Sequence, residues 1–146
     1  MKHPRFQAFQ PDQLALKSDR ACFNASSVSD VKSKVLKICS PVSGWAVSMS
    51  ADGETVVIGA QLNDGNGGNA GHARVYNFNG AAWSHIGGYI VGDFTYDLAG
   101  YSVAINADGD TVVVGAFLND GNGSDSGQAR VYRFDGTSWN QLGNDI

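Results

Sequence analysis

The sequence predicts an all-β protein: two four-stranded antiparallel units, stacked face on face, behind an irregular N-terminal arm. Three observations predict it. The chain repeats itself, with residues 44–90 lying over 100–146 at an offset of 56 and 26 of the 47 pairs identical. A period near 50 is the length of one supersecondary unit in a stacked array. Each copy carries a valine-rich run, "TVVIGAQ" or "TVVVGAF", that is apolar on successive residues, as in a strand covered on both faces. Glycine reaches 19 of 146 residues and no 3.6-residue period persists from residue 44 onward, which argues against helix.

Each element follows in order. In the second copy Tyr101–Asn106 reads as the first strand, with Gly44–Ser50 as its counterpart. Asp52-Gly53 and Asp108-Gly109 follow, and Asp-Gly between apolar runs is expected to form a two-residue hairpin, because glycine accepts positive φ. Thr111–Phe117 is the second strand, expected to be buried on both faces. The loop "LNDGNG" comes next, at Leu62–Gly67 and again at Leu118–Gly123. Gln128–Phe134 is the third strand, alternating Ala129 and Val131 against Arg130, Tyr132 and Phe134. "DGTS" turns the chain into a fourth strand around Trp139–Leu142, and the first copy's fourth strand continues through "VGDFTYDLAG" into the second unit. Four antiparallel strands per stacked unit make a β-propeller blade, and two blades make a partial β-propeller. The rival is a two-sheet β-sandwich. The organisation expected is a basic arm over 1–43, a first blade with its linker over 44–99, and a second blade over 100–146.

Charge divides the chain. Lys2, Arg5, Lys17, Arg20, Lys32, Lys34 and Lys37 all fall in residues 1–43, whereas the repeated part carries only three arginines against most of the acids. An acidic globular part does not suit a phosphate backbone, so nucleic acid is not expected as a partner. No run approaches the roughly 18 apolar residues of a membrane helix, so no membrane contact is expected. No signal peptide is visible. Cys22 and Cys39 both lie in the arm, where a disulfide and two free thiols are both open readings. Within the arm, Val31–Ile38 has the apolar content to add a strand or a short helix.

The unit resembles the FG-GAP repeat of integrin-α-type propellers. Gly100-Tyr101-Ser102-Val103-Ala104 matches the family's opening, with Ala99 in place of its phenylalanine. Gly115-Ala116 matches the middle, with Phe117 in place of proline, and Gly127 through Phe134 matches the close. In the first copy Gly44, Gly59-Ala60 and Gly71 through Phe78 match likewise, with Ser43 and Gln61 at the two departures. The resemblance implies a propeller-type fold and an extracellular or cell-surface setting. It also implies a calcium loop between the first two strands. Here Ala104 and Val112, or Ser48 and Val56, stand where that loop has its first and last ligands, so the family's metal site does not carry over.

The other metal candidate is the long loop. Asp120, Asn122 and Ser124 alternate, with Asp125 beside them; Asp64 and Asn66 are the first-copy equivalents. Alternating oxygen side chains suit calcium, with an affinity in the ~10⁻⁴–10⁻³ M range for so few carboxylates. The competing reading is that Asn, Asp and Gly supply turn geometry alone, and no cofactor is then needed. Arg74 and Arg130 recur in apolar third strands and are expected to be tied structurally to turn acids such as Asp108 or Asp135, or to snorkel at an edge position, with ligand binding as the alternative. Trp83 and Trp139 recur at the fourth strands and read as packing residues, with a sugar platform as the alternative.

No nucleophile, zinc or phosphate-loop motif occurs in the sequence. The function expected is therefore a non-enzymatic module for binding or scaffolding, with a protein or glycan ligand and with self-association or further blades. One alternative is a fragment or remnant of a longer repeat protein. Another is a hydrolase or lyase built on a propeller channel.

Overall fold

A computed structural model describes residues 43–146. Cys22, Cys39 and Val31–Ile38 lie outside the described residues. The first sheet holds β1 (Ala46–Met49), β2 (Thr55–Ala60), β3 (His72–Phe78) and β4 (Trp83–His85) in that order, with β5 (Ile90–Val91) also paired to β3. The second holds β6 (Ala99–Ile105), β7 (Thr111–Ala116), β8 (Gln128–Phe134) and β9 (Trp139–Gln141) in the same order. All pairings within both sheets are antiparallel. The described fold is thus all-β, with two blade-like sheets.

β4 and β5 are one outer strand, interrupted. β4 pairs the Tyr76–Phe78 end of β3, and β5 pairs its His72–Ala73 end. The second blade does the same without a named strand: Ala129 and Ile146 exchange two backbone hydrogen bonds of 2.9 Å. Those two residues lie 56 positions after Ala73 and Ile90, so the repeat extends to this last pairing.

The blades pack back to front. On β3 the side chains of Ala73 and Val75 point back, towards the second blade, and join Val57 and Ile90 in one core with Val112 and Val114 of β7. Val103, Ile105, Tyr132 and Trp139 of the second blade close over that core together with Ile86. The front of the first blade has its own cluster, Val56, Ile58 and Trp83, with Met49, Tyr76 and Phe78 against it. Polar ties also cross between the blades: Trp139 Nε1 donates to the Ile86 carbonyl at 3.1 Å, Ile105 N to Ser48 Oγ at 3.3 Å, and Ala51 N to the Ala107 carbonyl at 3.0 Å. The backbones meet most closely where β2 crosses β6. A Cβ on Gly59 would collide with the Gly100 carbonyl oxygen, so neither strand tolerates a side chain there.

Two expectations need correction. β2 is buried along its whole length, but β7 is not: Val113 is 36% exposed, and Thr111 and Gly115 are half-buried. An unbroken valine run reports the capacity to be covered on both faces; the covering layer has to be supplied by something else. The Asp-Gly turns are also wider than two residues. Ser50 N bonds the Thr55 carbonyl and Asn106 N the Thr111 carbonyl, so four residues lie inside each loop. Gly53 and Gly109 hold positive φ, at 77° and 75°, as the last bend requires.

The two turns are pinned by different side chains. In the first, the Asp52 carboxylate accepts from Ser50 Oγ (2.6 Å) and Glu54 N (2.9 Å), which holds it below the usual carboxylate range. In the second, Asn106 Oδ1 accepts from Asp110 N and Thr111 N, and its amide donates to Asp110. The Thr111 hydroxyl and then the Asn106 amide lower the Asp110 carboxyl. The Asp108 side chain forms no hydrogen bond among the described residues. Asn106→Ala is therefore expected to cost about 1–2 kcal/mol, and Asp108→Ala close to nothing, as read from chemical denaturation midpoints.

Candidate docking surface

The second blade presents, uncovered, the face that the first blade buries. Val57, Ala73, Val75, Ile86 and Ile90 of the first blade lie in the inter-blade core. Their counterparts at the 56-residue offset are Val113, Ala129, Val131, Leu142 and Ile146. Of these Val113 is 36% exposed, Leu142 41% and Ile146 75%, while Ala129 and Val131 are half-buried. Five apolar positions thus repeat the chemistry of a working interface without its partner. The glycine at the crossing repeats too. Gly59 lies against the Gly100 backbone, whereas a Cβ on its counterpart Gly115 would meet the Ser102 hydroxyl first.

The repeated "LNDGNG" loop also differs in its surroundings between the two blades. Both copies are built alike: Asn63 Oδ1 accepts from Gly65 N (2.9 Å) and Asn119 Oδ1 from Gly121 N (2.8 Å). Asp64 Oδ1 accepts from Asn69 N and Asp120 Oδ1 from Asp125 N, both at 2.7 Å. Asn69 and Asp125 share the left-handed conformation, with φ of 52°. The six conserved letters between the copies therefore encode one loop shape, in which the asparagine and aspartate side chains hold the backbone.

The first loop has a tenant. Tyr96 N, Leu98 N and Ala99 N of the inter-blade linker donate to the carbonyls of Gly68, Asn69 and Ala70. Asn66 Nδ2 donates to the Gly92 carbonyl at 2.7 Å. The linker lies directly against Gly67, where a Cβ would stand 2.8 Å from Thr95 Oγ1. Asp97, buried, ties the linker off by accepting from Asp93 N and Phe94 N, both at 2.9 Å. The second loop has none of this: Asp120 through Ser126 are exposed, and a Cβ on Gly123 would meet nothing within 4 Å.

The other singled-out residues fall in structural settings. Asp120, Asn122, Ser124 and Asp125 stay together on the second loop, as do Asp64 and Asn66 on the first, but Asp64 and Asp120 each have a carboxylate oxygen occupied by their own turn. Among the described residues no three His, Cys, Asp or Glu groups gather as metal ligands do. Val56 and Val112, at the end of the family's calcium loop, are fully buried in the two cores. Trp83 packs on Phe78 in the front cluster, and Trp139 on Phe134 beside the inter-blade core.

The arginines find partners that neither Asp108 nor Asp135 supplies. Arg130 forms a two-pronged pair with Asp93 of the linker and a second pair with Asp145, whose Oδ1 lies 2.9 Å from Nε. Asp93 first and Asp145 second raise the guanidinium above its ordinary value, against the effect of burial, and Arg130 holds the Asp145 carboxyl low. This ion pair fastens the linker to the second blade. Asp135 instead caps its own turn, accepting from Thr137 N and Ser138 N. Arg74 lies over the Tyr89 ring, its Cζ 4.3 Å from the centroid. Sequence reasoning missed Asp93, Asp97 and Asp145, although the change from Tyr89 to Asp145 between otherwise matching copies was a signal that the two arginines differ.

Among the described residues no helix is long and apolar enough to cross a membrane. No curated protein matches the chain. A family model described as FG-GAP repeat matches residues 42–76 and 94–132, half of the chain. Each matched stretch carries the first two strands of one sheet and most of the third, and with that correspondence the chain belongs to the FG-GAP repeat family.

Proposed function

We propose that this β-propeller-type repeat module is non-enzymatic and acts by binding, taking another sheet on the open face of its second blade. The observation that carries the reading is the one-to-one match between that face and the buried face of the first blade. An apolar set that a neighbouring sheet buries in the first blade is suited to burial by a sheet in the second, here back against back rather than back to front. For the chain by itself the partner is a second copy. The front of the first blade is already buried at Val56, Ile58 and Trp83, which leaves the second blade's own face as the matching apolar surface. Two such faces pair isologously, the commonest symmetry of soluble oligomers.

The acids support a non-catalytic reading. Asp52, Asp110 and Asp135 hold turns and Asp145 holds Arg130, which accounts for their lowered titration without a reaction. An extracellular or cell-surface setting follows from the resemblance to integrin-type repeats. The first "LNDGNG" loop acts as a linker cradle and the second is the same loop shape left open, with calcium as at most a weak occupant. Calcium is then expected to leave the melting temperature unchanged at micromolar levels and to raise it, if at all, only near millimolar; saturation in the micromolar range by calorimetry contradicts this.

Sedimentation equilibrium tests the binding reading. The wild type is expected to run as a dimer that dissociates on dilution, and Val113→Asp as a monomer at every concentration. A wild type that stays monomeric up to ~100 µM, a range in which a standard-sized interface associates measurably, or a Val113→Asp variant that still dimerises, overturns it.

A further inference from the structure

Arg74 and Arg130 occupy the same position in the two repeated blades, yet only one has a counter-charge. Arg130 holds the carboxylates of Asp93 and Asp145. The residues 56 positions earlier are Lys37, outside the described residues, and Tyr89. Both acids are therefore missing from the corresponding places in the first copy. The Arg74 guanidinium lies on the Tyr89 ring, and its Nε is buried without a hydrogen-bond partner. Arg74 forms no ion pair among the described residues. A half-buried guanidinium retains a strong demand for an anion, since neither a ring face nor partial solvation replaces a bidentate carboxylate.

The surroundings of Arg74 form a site rather than a gap. His72 stacks on Tyr89 with ring centroids 5.6 Å apart, and His85 meets the same ring edge-on at 5.0 Å. Tyr89 and His85 are exposed, so the cluster opens to solvent. In the second blade the corresponding residues are Gln128, Gln141 and Asp145, which leave an open polar cleft where the first blade has rings. We propose that Arg74, flanked by His85 and Tyr89, is a binding site for a carboxylate-bearing ligand, which supplies the counter-charge that Asp145 supplies to Arg130 in the second blade. Burial and then the charge of Arg74 keep the His85 imidazole below its ordinary pKa, so Arg74 supplies the positive charge and His85 reports on its neutralisation. The site is independent of the docking face, which belongs to the other blade.

The test follows the Arg74 Nε–H signal and the His85 ring signals by NMR in the full chain. Two probes, succinate and N-acetyl-aspartic acid amide, are titrated separately. Either probe is expected to shift both sets of signals saturably, while the Arg130 Nε–H signal, already paired, stays still. Tighter binding of succinate points to a free acid, and tighter binding of the amide to an acidic side chain. Arg74→Gln is expected to weaken binding at least tenfold. Tyr89→Asp installs the missing carboxylate and is expected to abolish binding in a folded protein; it keeps the test decisive should Arg74→Gln fail to fold. Absence of any shift with both probes, or binding unchanged by Tyr89→Asp, overturns the proposal.

Discussion

Gly59→Ala destabilises the chain by about 2–3 kcal/mol, the cost of overpacking against a backbone that cannot retreat, whereas Gly115→Ala costs less than about 1 kcal/mol. The two glycines stand at the same place in the repeat, on β2 and β7, and both alanines would adopt ordinary strand geometry. The difference is what each methyl meets. At Gly59 it strikes the carbonyl of Gly100, which is held by the neighbouring blade and has positive φ of its own. At Gly115 it meets the hydroxyl of Ser102, the movable end of a side chain. Relief at Gly59 requires the two sheets to separate, which loosens the core shared by Val57, Val75, Val112 and Val114. Thermal or urea midpoints of the two variants provide the comparison. Equal losses would mean that the close crossing of β2 and β6 does not exist in solution.

A larger effect is expected at the valines. Val57→Asp puts a carboxylate into the inter-blade core, where Val57 is fully buried in a cluster of Ala, Val and Ile side chains. An unpaired buried charge costs at least about 4 kcal/mol, a large part of the 5–15 kcal/mol by which domains are stable. The variant is expected to be largely unfolded by circular dichroism. Val113→Asp, the same change in a closely similar strand sequence, leaves the carboxylate in water on the open face and keeps the fold. The contrast separates intrinsic strand preference, which is the same at both positions, from tertiary covering, which is not.

Local chemistry was legible where the chain's own neighbours decide it. The third strand alternates apolar and polar residues, and Gln128–Phe134 has the span that this alternation implies. The repeat itself revealed that two equivalent sheets would form. What was not legible depended on partners distant in sequence. Asp93 reaches Arg130 across 37 residues, so the tie from the arginine to the linker carried no local trace. The burial of β2 and the exposure of Val113 are fixed by which face meets the other blade, and the two valine runs are nearly the same in sequence. The hairpins were placed correctly but read as too narrow. The Asp-Gly pair marks the bend, while the closing hydrogen bonds belong to Ser50 and Asn106, two residues before each aspartate. The repeated loop read as turn or metal site; its use as a cradle emerged only from the linker lying against Gly67.

The central claim is that two equivalent blade faces have opposite exposure, one covered by the next blade and one open. Valine methyl signals recorded with a soluble paramagnetic relaxation agent, on protein dilute enough to be monomeric, measure this directly. Strong broadening of the Val113 methyls with Val57 and Val75 unaffected is the result this structure predicts. Equal protection of Val57 and Val113, or equal broadening of both, contradicts it.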